Sequence, residues 1–478
     1  MRFRPFHLPS RFSERRLLLT GIDLLAINGA LLFYLSLRPE YAFRWKLIVE
    51  HPLWFTILTI LWLPLAHAFD AYDLQVAGKL SKIVPALLKA GVISCGIYLL
   101  IPYLTPALPA SRFTLFSFFV FPFLFLLAGR ILYLLILTQP FFNRRALIVG
   151  TGSTARTIAQ AILNPTHTIY NTVGFVQDVV TKNNPAPINN PDEQRSSDPA
   201  INVLGGYPAL SNLVDKHRIN TLVLATDKKI DGELLQILTD CLELGVEIIP
   251  MPVLYEELTG RIPVEHIGEN WNVAIPMDHP LTKPLNLFLK RASDIVLASL
   301  GCLCLAPFFP FIALAIYLES PGPIFYTQER VGRGGRIFRA YKFRSMVPDA
   351  EKGQAVWAQK NDNRVTRVGR LLRKTFVDEF PQFMNILKGE MSTVGPRPER
   401  PEFVEELARE IPFYRVRHAV KPGMAGWGLV NQGYGASKED ALIKLQYDLY
   451  YIKHQSLWFD IIILLKTIID TLTLRGRA

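Results

Sequence analysis

Residues Ile295–Leu318 read IVLASLGCLCLAPFFPFIALAIYL, an uncharged apolar run long enough to cross a lipid bilayer. Pro307 and Pro310 stand near its middle, where each proline removes a backbone donor and bends a helix. Basic residues flank both ends: Lys283, Lys290 and Arg291 before it, and Arg330, Arg333, Arg336, Arg339, Lys342 and Arg344 after it. Because basic flanks favour the cytoplasmic side, the sequence predicts a re-entrant hairpin broken at Pro307. A kinked helix that crosses the membrane is the alternative.

The basic segment that follows reads ERVGRGGRIFRAYKFR from Glu329 to Arg344. It lacks the GxxxxGK[ST] pattern of a P-loop. Arginines on a glycine-flexed backbone nevertheless suit phosphate, so we take Arg330, Arg333, Lys342 and Arg344 as candidate substrate-binding residues. A solvated or lipid-facing basic loop would explain the same charge.

Two adjacent carboxylates, Asp378 and Glu379, follow a stripe of arginines spaced by three residues. The stripe consists of Arg364, Arg367, Arg370 and Arg373. Asp378 stands where it would cap a helix that begins near Pro381 and ends at Gly389, which is one interpretation of this residue. The other is catalytic, because a helix N-terminus beside arginines binds anions and a divalent cation can bridge two carboxylates to phosphate.

A proline-rich segment, Gly395-Pro396-Arg397-Pro398-Glu399-Arg400-Pro401, comes shortly afterwards. Proline fixes the backbone, so Arg397 and Arg400 would lose little entropy on binding an anion. We add Pro396, Arg397, Pro398 and Arg400 to the candidate substrate-binding residues. A plain rigid turn is the alternative.

The first third of the chain contains apolar segments that are long enough to span a membrane. They are Leu17–Leu37, Leu53–Phe69, Ile83–Leu104 and Phe113–Leu137. Arginines precede the first segment and follow the fourth, which puts both ends in the cytoplasm. Asp23, Asn28, Lys89 and Arg130 interrupt the segments. Such residues are functional candidates in a membrane, and an interhelical pair or a snorkelling end group is the alternative.

The middle third has a soluble α/β pattern. A predicted strand, Ala146–Val149, enters a GxGxxA turn and then a helix through Leu163, so Gly150, Gly152 and Ala155 form a candidate nucleotide cradle. A fold-only module, in which the glycines merely make the turn, is the alternative. Further strands are predicted at Val173–Val176, Val203–Leu204, Thr221–Ala225 and Val246–Ile249, with Asp178 near the position of a ribose-binding acid and a flexible insertion at Thr181–Pro199. The domain has no Tyr-x-x-x-Lys, the usual base of a dehydratase or epimerase.

Composition agrees with a membrane protein that meets anions. Lys and Arg number 52 against 41 Asp and Glu, a formal net charge of +11, and half of the residues are hydrophobic. A basic membrane protein favours lipid head groups, phosphates or nucleic acid. The four cysteines, Cys95, Cys241, Cys302 and Cys304, have no histidine at metal-binding spacing, so we expect neither zinc nor disulfides.

From about Lys283 to its end, the chain resembles the bacterial sugar transferases that act as polyprenyl-phosphate hexose-1-phosphate transferases. The matching features are Lys290-Arg291-x-x-Asp294, the proline-broken apolar run, Ser320-Pro-Gly-Pro323, the segment Arg330–Arg344, Asp378-Glu379-x-Pro381-Gln382, Gly395-Pro-Arg-Pro398 and Lys421-Pro-Gly423. The spans and the Rossmann-like module resemble the long members of that family. One departure is the break itself, which is Ser-Pro in small relatives and Ala306-Pro307 here.

The resemblance implies that Asp378 attacks the sugar-bearing phosphorus of a UDP-hexose, that UMP leaves, and that undecaprenyl phosphate then takes the phosphosugar. It implies Mg²⁺ held by Glu379 and Asp378, and nucleotide phosphate held by Arg397 and its neighbours. It also implies a homodimer in the bacterial inner membrane, with the catalytic domain on the cytoplasmic face and no nucleic acid as partner. The product would start exopolysaccharide, capsule or O-antigen synthesis.

We therefore predict a membrane α/β protein with three parts: a four-helix transmembrane bundle (1–143), a Rossmann-like cytoplasmic domain (144–278) and an α-rich catalytic domain with a re-entrant membrane helix hairpin (279–478). The chemistry is expected after Lys290, so Leu281–Ala478 should carry the activity. The alternatives are a membrane-bound nucleotide-sugar dehydratase or epimerase, and a non-catalytic sensor or flippase-like protein. The pair Asp378-Glu379 among arginines argues against the last of these.

Overall fold

The computed structural model describes residues 12–38, 40–41, 46–109, 111–137, 144–163, 170–177, 202–226, 231–266, 284–348, 350, 362–433 and 437–473. The chain divides into two compact units, Met1–Thr259 and Gly260–Ala478. Asp178, the insertion Thr181–Pro199 and the predicted domain boundary at 278–279 lie outside the described residues.

The first unit begins with apolar helices. They are α1 (Phe12–Ser36), α2 (Lys46–Glu50), α3 (Pro52–Ala68), α4 (Leu74–Ala77), α5 (Leu80–Leu99) and α6 (Arg112–Leu137). Within the described ranges, three stretches are long and apolar enough to cross a membrane: Glu14–Ser36, Leu80–Leu99 and Arg112–Ile136. The second predicted span, Leu53–Phe69, corresponds to α3, which is apolar but shorter.

Polar residues inside these helices pair with one another. Asp23 on α1 and Arg130 on α6 form an ion pair of 2.7 Å with both side chains fully buried, and the guanidinium lies over the ring of Tyr72. Asn28 donates to Thr59 of α3 at 2.9 Å. The interpretation of Asp23 and Arg130 as an interhelical pair is therefore confirmed. The pair fixes α1 against α6, since removing one partner of a buried pair costs about 3–5 kcal/mol.

A five-stranded parallel sheet with the order β3-β2-β1-β4-β5 forms the rest of this unit. Its elements are β1 (Arg144–Val149), α7 (Ser153–Leu163), β2 (Tyr170–Gln177), β3 (Val203–Gly206), α8 (Leu210–His217), β4 (Thr221–Leu224), α9 (Gly232–Glu243), β5 (Glu247–Pro250) and α10 (Met251–Thr259). Every predicted strand is confirmed to within a few residues. At the predicted turn, Gly150 has φ +125°, and a Cβ there would lie 2.3 Å from the carbonyl oxygen of Ala225, so only glycine fits.

The second unit contains a bent pair of apolar helices and two small two-stranded sheets. Its elements are α11 (Pro284–Leu305), α12 (Phe309–Glu319), β6 (Phe325–Val331), β7 (Ile337–Phe343), α13 (Arg367–Lys374), α14 (Gln382–Lys388), β8 (Ser392–Val394), α15 (Pro401–Glu410), β9 (Gly423–Ala425), α16 (Trp427–Gln432), α17 (Lys438–His454) and α18 (Leu457–Leu472). Strands β6 and β7 are antiparallel, and β8 and β9 are parallel. Helices α11 and α12 meet at a bend of 62°, and the predicted break residue Pro307 lies in that bend.

Residues 260–266 form an N-terminal strap that packs on the second unit. Ile262 and Val264 are 1% and 3% exposed and belong to that unit's hydrophobic core. The amide of Ile262 donates to the carbonyl oxygen of Gln446 on α17 at 3.1 Å. The indole of Trp427 donates to the carbonyl oxygen of Gly260 at 3.2 Å. The core of the second unit thus includes residues that precede the start of α11 by about twenty positions in the sequence.

Candidate active site

The two acidic residues predicted to carry the chemistry lie in a short 3₁₀ helix, Val377–Glu379, between α13 and α14. Phe376, just before it, has φ +59°, a left-handed conformation that is strained for a bulky side chain and typical of functional sites. Asp378 does not cap α14, because Pro381 occupies the N-cap position. Gly389 ends α14 with φ +86°, as predicted. The capping interpretation of Asp378 is therefore wrong.

Asp378 and Glu379 are both buried, at 3% and 4% exposure, and Glu379 is held by two cations. Its Oε1 accepts from Lys342 Nζ at 2.9 Å and from Arg397 Nη2 at 2.6 Å. Its Oε2 accepts from Arg397 Nη1 at 3.2 Å. Residues from three separate stretches of sequence thus form one cluster, which we call the acid–base cluster: Lys342, Arg397 and the adjacent pair Asp378 and Glu379.

The cations of this region are crowded. Burial lowers the pKa of Lys342 to about 8, with Glu379 acting in the opposite direction and Arg397 reinforcing the decrease. Burial also lowers the pKa of Arg330, whose Nη1 donates to the carbonyl oxygen of Pro398 at 3.1 Å. Such cations gain most from a bound anion, because a phosphate supplies the negative charge that compensates for their desolvation.

The proline-rich turn that carries Arg397 depends on two glycines at the β8–β9 pair. The amide of Gly395 donates to the carbonyl oxygen of Ala425 at 2.9 Å, and that of Gly423 donates to the carbonyl oxygen of Pro396 at 2.9 Å. A Cβ on Gly423 would lie 2.0 Å from the amide nitrogen of Gly395. The Gly395 and Lys421-Pro-Gly423 motifs are therefore two sides of one close backbone approach that presents Arg397.

The other predicted substrate-binding residues have different surroundings. Arg344 is buried and donates to the carbonyl oxygens of Ser320 and Pro321, so it braces the turn that leaves the hairpin. Arg373 donates from Nε to Ser345 Oγ at 2.8 Å. Arg333 is exposed on the 3₁₀ turn between β6 and β7, and Arg400 is the N-cap residue of α15. Arg344 in particular has a structural contact that its position in a basic run did not reveal.

Two residues of the Lys290-Arg291-x-x-Asp294 motif support the site through buried polar contacts. Lys290 on α11 donates to Asp460 on α18 at 2.7 Å and to the carbonyl oxygen of Val394 at 3.1 Å. Asp294, one turn later, accepts from the amide and the hydroxyl of Thr393. Helix α11 is thus bound to β8, the strand that leads directly into the Arg397 turn. Asp460 is buried within the predominantly apolar helix α18, and an acidic residue in such a helix is the signal that would have indicated this contact.

The carboxylate pair also bears on metal binding. Within the described part of the chain, no group of three or more His, Cys, Asp and Glu side chains could hold a metal ion. Magnesium is commonly bound by one or two carboxylates together with substrate phosphates and water. Asp378 and Glu379 are donors of this kind, and both oxygens of Glu379 accept from Lys342 or Arg397.

Comparison with known proteins agrees with this site. The family model described as bacterial sugar transferase matches residues 285–474, and one described as CoA-binding domain matches residues 67–252. The first match includes the whole acid–base cluster. The second includes the parallel sheet.

Three relatives are similar to this chain. A UDP-N-acetylgalactosamine-undecaprenyl-phosphate N-acetylgalactosaminephosphotransferase of Aeromonas hydrophila is 44% identical over 247 residues, 52% of this chain and 57% of the relative. A UDP-glucose:undecaprenyl-phosphate glucose-1-phosphate transferase of Escherichia coli (strain K12) is 44% identical over 193 residues, 40% of this chain and 41% of the relative. An enzyme of that same name from Caulobacter vibrioides is 40% identical over 186 residues, 38% of this chain and 70% of the relative.

The chain thus spans about half the length of the first two relatives and more than two thirds of the third. The family match and the acid–base cluster both lie in the second unit. The chain therefore belongs to the bacterial sugar transferase family.

Proposed function

We propose that this protein transfers hexose-1-phosphate from a UDP-hexose to undecaprenyl phosphate and releases UMP. The observation that carries the proposal is the acid–base cluster, in which buried Asp378 lies next to a carboxylate already held by Lys342 and Arg397. A nucleophile, its neighbouring carboxylate and phosphate-binding cations are the groups that a two-step phosphosugar transfer requires. The relatives' names as phosphotransferases support the same reaction class.

In the first step, a carboxylate oxygen of Asp378 forms a bond to the sugar-bearing phosphorus. The bond from that phosphorus to the bridging oxygen breaks, and UMP leaves with the electron pair. In the second step, an oxygen of undecaprenyl phosphate attacks the phosphorus and displaces the Asp378 carboxylate, which is regenerated. Covalent catalysis of this kind divides one displacement into two easier ones.

The remaining side chains would bind and orient the donor. The guanidinium of Arg397 donates two hydrogen bonds to Glu379 and keeps that carboxylate in place. The same guanidinium would also hold phosphate oxygens of the donor. Asp378 and Glu379 would hold Mg²⁺ together with donor phosphate oxygens, where the ion neutralises diphosphate charge. The proposal leaves the sugar open: the similar enzymes are named for glucose and for N-acetylgalactosamine.

The membrane arrangement is also a proposal. We infer that α1, α3, α5 and α6 form a four-span bundle, and that α11 and α12 form a re-entrant hairpin on the cytoplasmic face of the bacterial inner membrane. Apolar side chains are largely exposed on both arms, for example Leu303 at 71% and Phe311 at 72%. Large apolar surface of this kind suits lipid. A homodimer is part of the same proposal.

The re-entrant arrangement predicts labelling from one side. In a variant without the native cysteines, Asn286→Cys before the bend and Arg333→Cys after it should both react with a membrane-impermeant maleimide from the cytoplasmic side of inverted vesicles. Both positions are exposed. Reaction of the two cysteines from opposite sides would show that α11 and α12 cross the membrane as one bent span.

UMP release tests the proposed reaction. Membranes containing the protein are incubated with undecaprenyl phosphate, Mg²⁺ and one UDP-sugar at a time, and UMP is measured with a coupled assay. With one donor, UMP release should continue over many turnovers when the lipid acceptor is present. Without the acceptor it should stop at about one equivalent per enzyme, because the first step alone releases one UMP. Absence of UMP release with every UDP-hexose and UDP-N-acetylhexosamine would reject the proposal. No observation favours the dehydratase or epimerase alternative, and neither family match supports it.

A further inference from the structure

A buried arginine outside the acid–base cluster contacts the backbone of Arg397. Arg417 lies in the 3₁₀ helix Tyr414–Ala419 and is 5% exposed. Its Nη2 donates to the carbonyl oxygen of Arg397 at 3.0 Å. Its Nη1 donates to the hydroxyl of Tyr414 at 2.6 Å. One guanidinium therefore links the proline-rich turn to a separate element of the second unit.

Asp448 on α17 holds that guanidinium in place. The carboxylate is 3% exposed, and its Oδ2 accepts from Arg417 Nη2 at 2.8 Å. Helix α16 packs closely against the other carboxylate oxygen of Asp448, since a Cβ on Gly428 would lie 3.2 Å from Oδ1. Burial raises the pKa of Asp448 to about 6, with Arg417 acting in the opposite direction. Neither member of the pair can move without leaving a buried charge uncompensated.

The hydrogen bond from Arg417 to the Arg397 carbonyl restricts the orientation of Arg397. The carbonyl that Arg417 holds belongs to Arg397, whose two terminal guanidinium nitrogens both donate to Glu379. The amide of Gly423 fixes the preceding carbonyl, that of Pro396. Two successive carbonyls of the turn are thus bound, so the direction in which Arg397 leaves the backbone is set by groups outside the cluster.

We propose that Arg417, oriented by Asp448, is a positioning residue that fixes the Arg397 turn for binding of the donor's nucleotide phosphate. The inference rests on the proposed function and deepens it. Small misplacements of a phosphate-binding group cost large factors in rate, because the productive geometry is no longer preorganised. Arg417 would contribute through Arg397 alone, without touching the substrate.

A double-mutant cycle tests this dependence. Arg417→Gln should lower kcat/KM for the UDP-sugar by about 10- to 100-fold and weaken binding of UMP, measured by calorimetry, by a similar factor. In an Arg397→Ala background, the same Arg417→Gln change should have less than about a threefold further effect, since coupled residues are not additive. Equal losses in both backgrounds would overturn the proposal, because Arg417 would then act independently of Arg397.

Two further variants separate a loss of positioning from a loss of folding. Arg417→Gln/Asp448→Asn removes both buried charges together, so it avoids an unpaired carboxylate and should fold while still losing UMP affinity. Arg409→Gln, the same change at an exposed position on α15, should leave UMP binding unchanged. Wild-type UMP affinity in the folded double variant would overturn the inference. The calorimetric measurement separates this result from a failure of the proposed reaction, which the UMP-release assay reports.

Discussion

Asp378→Asn is expected to reduce transfer by about 10³-fold or more, because the amide cannot form the phosphosugar intermediate. The substitution keeps the size of the side chain, and Asp378 lies in a short 3₁₀ helix between α13 and α14, so the protein should still insert and fold. The measurement is UMP release by purified protein with the donor that the wild type accepts. The loss should appear in kcat, since the reacting oxygen is removed and the donor-binding cations remain.

Two further variants are compared with Asp378→Asn. Glu379→Gln should also lose activity, because it removes the ion pairs with Lys342 and Arg397 and a candidate magnesium ligand. Glu405→Gln makes the same carboxylate-to-amide change at an exposed position on α15 and should behave as wild type. Transfer by folded Asp378→Asn at a rate near that of the wild type would exclude the covalent mechanism.

A fragment that begins at Gly260 is expected to be markedly more stable than one that begins at Leu281. The shorter fragment lacks Ile262 and Val264, which are buried in the core of the second unit. Burial of two such side chains contributes about 3–6 kcal/mol, a large share of the stability of a domain. Gly260–Ala478 should therefore be monodisperse in detergent and release UMP, whereas Leu281–Ala478 should unfold at a lower temperature.

The matched control is the longer fragment with both residues truncated, Ile262→Ala/Val264→Ala. It should lose most of the difference in melting temperature while keeping the length of the chain. Equal melting temperatures for the two fragments would contradict the role of the N-terminal strap. A stable but inactive Gly260–Ala478 would instead show that the first unit or a dimer contact through it is needed for transfer.

Short apolar strands and a helix bend at proline could be predicted from the sequence. The strands of the parallel sheet follow from short apolar runs, and the bend at Pro307 follows from the chemistry of proline. The acid–base cluster was predicted as separate candidates because carboxylates and arginines cluster in sequence there. That Lys342 and Arg397 meet at Glu379 was not predictable, since it depends on how β7 and the β8–β9 pair are placed in space.

The role of a single charged residue could not be predicted where the local sequence pattern fits more than one role. Asp378 had the spacing of a helix cap, yet Pro381 is the N-cap and α14 begins at Gln382, because the segment Val377–Glu379 is a separate 3₁₀ helix. Arg344 lay in a basic run and instead binds carbonyls after the hairpin. Arg417 and Asp448 gave no motif at all, because a long-range buried pair is specified by tertiary packing alone.

The attachment of α11 to β8 through Lys290 and Asp294 has a kinetic consequence. If the hairpin lies in the bilayer as proposed, the Arg397 turn is held at a fixed depth beside the interface. The acceptor lipid then reaches the site by lateral diffusion in two dimensions, and its effective concentration is its mole fraction in the membrane. Diluting the vesicles in buffer would leave the rate per enzyme unchanged, whereas diluting undecaprenyl phosphate with inert phospholipid would lower it.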